Sequence, residues 1–105
     1  MGKLRLASLH RTNQGIVYLL HDGRAVEHSR LSLGAYKSET KDKSPVWIVV
    51  ELSSGLSIAE GPTYNKAVQA AYLKIQETGL DKIRYIIDKS IKEHGAAPGH
   101  RITYL

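Results

Sequence analysis

The sequence predicts an α+β domain: an antiparallel sheet of about five strands, built as a meander and then a hairpin, with two C-terminal helices on one face. Three observations carry this. The first sixty residues break into short runs rich in β-branched and aromatic residues, separated by turn chemistry. Residues 64–94 switch to a helical apolar period. All the strands precede both helices, and that order favours a sheet with helices segregated to one side.

The elements follow in order. Residues 3–9 alternate between apolar and polar side chains, as a half-buried strand does. Arg11 to Gly15 is turn chemistry, and Ile16 to Leu20 reads as a second strand. Asp22-Gly23 stands between that run and the alternating residues 24–29, the strongest short-range hairpin signal a sequence offers. Residues 3 to about 29 thus predict a three-stranded meander. Residues 31–36 fit either a short strand or a helical turn. The polar run from Lys37 to Ser44, closed by Pro45, predicts an exposed loop over 37–45.

Val46 to Leu52 is the most hydrophobic run and predicts a central strand, with the sole tryptophan, Trp47, in the core. Ser53-Ser54-Gly55 turns the chain into an antiparallel partner, Leu56 to Glu60. Gly61-Pro62 breaks that strand, and Thr63 suits a helix N-cap. The first helix spans about Tyr64 to Thr78, with Tyr64, Ala67, Val68, Ala71 and Ile75 on one face. Gly79 stops it. The second runs from about Leu80 to His94, burying Leu80, Ile83, Ile87 and Ile91, with His94 favourably placed against the C-terminal end of the helix dipole. Ala96 to Gly99 reads as a linker, and Arg101 to Leu105 as a short closing edge strand.

With 105 residues, the chain has room for one core and reads as one domain over 1–105. It contains no cysteine, which excludes disulfides, thiolate metal sites and thiol catalysis. No apolar run of about 18 residues is present, so no membrane-spanning helix is expected. The start lacks the apolar stretch of a signal peptide, so a cytoplasmic location is expected. The net charge of +5 favours anionic partners.

Motifs for chemistry are sparse. His21, His28, Asp22 and Glu27 crowd together in sequence and raise a zinc reading, but their spacing matches no zinc pattern, and alternation divides them between two faces. No serine sits in a nucleophile elbow, and no glycine cluster resembles a phosphate loop. The chain therefore reads as a non-enzyme without a cofactor.

The candidate binding residues lie on the helices. Lys82, Tyr85, Lys89 and Lys92 cluster opposite the buried face of the second helix, a stripe suited to phosphates or to an acidic protein surface. Asp88 can pair with Lys92 across one turn. Lys66 and Lys74 add positive charge on the first helix. Leu73 projects away from that helix's apolar face, to be covered by the second helix or offered to a partner.

Over residues 46–75 the two strands followed by Gly61, Thr63, Ala67 and Ala71 resemble the strand–strand–helix core of HicB-type antitoxins, and small phage or mobile-element accessory proteins, anti-CRISPR proteins among them. Tyr64, Asn65 and Lys66 stand where the antitoxins carry acidic residues. The resemblance implies a binding protein: an inhibitor or modulator of a host nucleic-acid-processing complex, acting by protein–protein contact as a monomer or homodimer. The alternative is direct RNA or DNA binding through the basic helix face.

Overall fold

The computed structural model describes residues 3–97 and 103–104. Six strands and two helices run in the order β1 (Lys3–Thr12), β2 (Gly15–Val26), β3 (Leu33–Glu39), β4 (Pro45–Glu51), β5 (Ser57–Gly61), α1 (Tyr64–Thr78), α2 (Leu80–His94) and β6 (Thr103–Tyr104). The sheet order is β5-β4-β3-β2-β1-β6, antiparallel throughout. This is the α+β architecture expected, with both helices following the meander. β6 pairs with Leu4 and Arg5 at the predicted closing edge; positions 101, 102 and 105 of that expected strand, and His100, lie outside the described residues.

Three local expectations change. Asp22-Gly23 is not a turn: β2 runs unbroken through it to Val26, so residues 24–29 form no separate strand, whereas the turn expected over Arg11–Gly15 is present at Asn13-Gln14. Of residues 31–36, Leu33 to Tyr36 resolve as strand, and β3 extends to Glu39, so the expected 37–45 loop shrinks to 40–44. Lys37 and Glu39 are tolerated in a strand because their side chains remain exposed while the backbone pairs with Trp47 and Pro45.

Gly23 is required for close packing. A Cβ there would lie 2.4 Å from the Ala35 carbonyl oxygen. β2 and β3 pair over only three positions, Arg24 to Val26, whereas β1 and β2 pair over ten. Beyond Gly23 the β1–β2 hairpin leaves β3 and curls across the sheet. Leu6 of β1 and Leu52, just past β4, both reach over Gly34 of β3, where an added Cβ would lie 2.9 Å from a Cδ2 of each. The curl buries Leu4, Leu6, Tyr36, Val50 and Leu52 on the concave face. At the seam, the Leu9 N–H donates to the Gly55 carbonyl at 2.8 Å, and Gly55 adopts φ +77°.

The helices cover the opposite face. Ala67, Ala71 and Ile75 of α1 and Ile83 and Ile87 of α2 pack with Val26, Leu33, Ala35 and Val49. Alanines at 67 and 71 allow α1 to lie close on the sheet, and a Cβ at Gly61 would strike the Ala67 nitrogen at 2.7 Å. Thr63 caps α1 as expected: its hydroxyl accepts the Lys66 N–H at 3.2 Å. Packing and capping thus account for the four positions that carry the antitoxin resemblance.

Trp47 is only half-buried. It meets the Tyr64 ring edge-on, with ring centroids 5.4 Å apart, and the Arg24 guanidinium lies 4.9 Å from the Tyr64 ring and 5.7 Å from the Trp47 ring. Cation–π attraction at such an exposed site is worth about 0.5–1 kcal/mol.

Candidate partner-binding groove

β5 is the last strand of the sheet, and among the described residues nothing pairs with its outer edge. An apolar groove of about 200 Å³ opens beside it, lined by Leu56 and Ile58 at the strand, Lys74 and Thr78 on α1, and Ile83, Ile86 and Ile87 on α2. Two of these isoleucines are buried in the core, but Ile86 is 45% exposed and forms the outer wall.

The rim is basic. Lys74 lines the groove directly. Lys82 and Lys89 stand four residues before and three after Ile86, the spacing at which helical side chains become neighbours. Among the described residues the only ion pairs within 4.0 Å join Arg5 to Asp22 and Glu93 to His94. The expected Asp88–Lys92 pair is not formed within 4.0 Å, although Asp81, Asp88 and Glu93 on the same helix dilute the positive charge. Glu51 reaches the groove floor with its carboxylate turned inward, accepting the N–H and O–H groups of Ser53 and Ser54.

The predicted binding residues divide by position. Lys82, Tyr85, Lys89 and Lys92 share the exposed side of α2, with Tyr85 66% exposed. Leu73 is 54% exposed, so α2 does not cover it; it does not line the groove. Lys66 sits in the first turn of α1, eight residues and about 12 Å from Lys74, and belongs to a different part of the surface. Ile86 is the residue the sequence did not single out. Its signal was its position at the margin of the stripe formed by Leu80, Ile83, Ile87 and Ile91.

The histidines take local roles. His28 Nδ1 accepts the N–H groups of Arg30 and Leu31 in the turn after β2. His21 lies elsewhere, stacked on Tyr36 with ring centroids 3.7 Å apart. The curl places the buried Ser8 hydroxyl between His10 Nε2 and His21 Nε2, 2.8 Å from each. A hydroxyl donates only once, so at least one of the two imidazoles presents an N–H to it. Burial, then the neighbouring His10 charge, hold the His21 pKa below its ordinary value. No group of three or more metal-ligating His or carboxylate side chains occurs among the described residues, and His21 and His28 do not converge.

No helix of the described residues is long and apolar enough to cross a membrane. Comparison of the chain with protein families, curated proteins and solved structures found no match.

Proposed function

We propose that this is a non-enzymatic binding protein whose partner is another protein, seated as an extended segment along the outer edge of β5 with side chains entering the groove. The observation that carries this is the juxtaposition of an unpaired strand edge with an apolar groove walled by Ile86. A strand edge offers backbone donors and acceptors that only an extended chain satisfies along its length, and the adjoining groove selects alternate side chains. The Lys74, Lys82 and Lys89 rim favours a partner segment that alternates acidic and apolar residues. The partner class we favour is a component of a nucleic-acid-processing complex, inhibited or modulated by this contact. The antitoxin and accessory-protein resemblance supports that reading, as does a basic α2 face suited to protein surfaces that mimic or border nucleic acid.

The test is selection of a displayed random-peptide library on the full chain, followed by titration of a synthetic enriched peptide. Enrichment of alternating acidic–apolar sequences is expected, with affinity falling roughly tenfold or more for Ile86→Asp. Leu73→Ala should leave affinity unchanged. Failure to enrich any such sequence, together with salt-sensitive binding of short RNA or duplex DNA lost on neutralising Lys82, Lys89 and Lys92, would replace this reading with direct nucleic-acid binding.

A further inference from the structure

We infer that the chain forms a two-fold symmetric dimer by antiparallel pairing of β2 with β2 of a second copy, centred on Leu19. β2 meets β3 only at Arg24 to Val26, so among the described residues the strand edge from Ile16 to Asp22 has no partner. The Leu9 N–H points away from β2, to Gly55. In an antiparallel pair the directly opposite residue, here Tyr18, then also turns its N–H and C=O outward. The same parity turns the backbone groups of Ile16, Leu20 and Asp22 outward.

From Ile16 to Leu20 this edge carries no charged residue and no proline against strand addition. Gly15 to His21 contains no proline, lysine or arginine. Its side chains are apolar on both faces: Val17 is 40%, Leu19 49% and Leu20 56% exposed. Three large exposed hydrophobic residues thus fall within four positions.

The segment complements itself. A two-fold axis perpendicular to the sheet keeps each face on its own side, so it can pair only residues of the same parity. Centring the axis on Leu19 places Ile16 opposite Asp22 of the second copy and Tyr18 opposite Leu20. Every outward-turned residue then meets another outward-turned residue. Shifting the axis to Tyr18 or Leu20 leaves one end of the edge unpaired. The register also orders charge. On the outer face the row across the junction becomes Arg11 and Ile16 of one copy, then Asp22 and Arg5 of the other, because Arg11 pairs with Ile16 and Arg5 with Asp22 within each chain. Each junction carboxylate thus lies beside Arg5 of its own chain, with Arg11 of the other copy one strand beyond Ile16. A chain with a net charge of +5 can approach its copy here because the edge core itself is uncharged.

The absence of native cysteine allows a direct test. Leu19 and its copy form a non-hydrogen-bonded pair, with Cα atoms about 4.5 Å apart. That lies within disulfide reach. Val17 and its copy stand about 13 Å apart, which is out of reach. Under mild oxidation Leu19→Cys should convert to a covalent dimer, and Val17→Cys should remain largely uncrosslinked. Sedimentation of the unmodified chain should show a species of twice the 11.6 kDa chain mass. Leu19→Lys should abolish that species while retaining the wild-type circular dichroism spectrum. A chain that sediments as a monomer at millimolar concentration would overturn the inference. So would Leu19→Cys crosslinking no faster than Val17→Cys, or a dimer that persists in well-folded Leu19→Lys.

Discussion

Replacing Leu6 with alanine probes whether the curl of the sheet encloses a genuine core. Leu6 is 1% exposed although no residue of α1 or α2 joins its cluster. Its burial comes from the chain folding back: Leu52 approaches from beyond β4, Tyr36 lies beneath, and Gly34 leaves room for the contact. Truncating a fully buried leucine costs about 2–5 kcal/mol, the transfer of the lost methyl groups plus the cavity left behind. The site cannot collapse easily, because the floor under Leu6 is backbone hydrogen-bonded into the sheet. A cost of about 3 kcal/mol is therefore expected. For a domain of this size, that is a large share of a total stability of about 5–15 kcal/mol. The melting temperature should fall by roughly 12–24 °C. Urea unfolding followed by fluorescence of the single tryptophan, Trp47, measures the change as a shift in midpoint at constant slope. Leu73→Ala serves as the control, since an exposed helical leucine should cost no more than about 0.5 kcal/mol. A cost below about 1 kcal/mol for Leu6→Ala would refute the enclosed concave core.

Two further outcomes follow from single contacts. Thr63→Ala removes the hydroxyl that accepts the Lys66 N–H and should cost about 1 kcal/mol in the same urea assay, with Thr63→Ser restoring most of it; equal stability of all three would rule out the cap. The depressed His21 pKa makes the folded chain bind its proton less readily than the unfolded chain, whose ordinary value is about 6.5. The His21 contribution is therefore complete above pH about 6.5 and declines as pH falls through the lower folded value, so the urea midpoint should drop on acidification and drop less in His21→Gln. A wild-type midpoint that rises over the same interval would contradict this sign.

Much of the fold was legible in local pattern. The Val46–Leu52 run, the Ser53–Gly55 turn and the two helices, with the first capped by Thr63, all sit at their expected places, because propensity, turn chemistry and period agree there. Asp22-Gly23 misled for a definite reason. A glycine between two strand-like runs signals a turn, but it equally serves a strand that must pass close to a neighbouring carbonyl, and only the Ala35 contact distinguishes the two. Lys37 to Glu39 read as loop because side-chain polarity hides backbone pairing on a solvated face. The lysine stripe was visible as helical spacing. The groove was not, because it depends on the angle at which α2 meets the end of α1 and the start of β5, and no local period encodes that angle. Ile86 passed as one more isoleucine until the structure placed it outside the core.

The Glu51 carboxylate sets the shape of the β4–β5 turn, and that turn is where distant parts of the chain meet. Its Gly55 carbonyl receives the Leu9 amide, and its Ser53 carbonyl receives the Ala97 amide, both at 2.8 Å. The first strand and the segment after the last helix are thus latched to one short stretch of backbone between them. Neither can fray without straining the turn, so the ends of the domain should open together rather than one at a time. Both latches close long loops, whose closure costs more entropy than that of the local hairpins and helices.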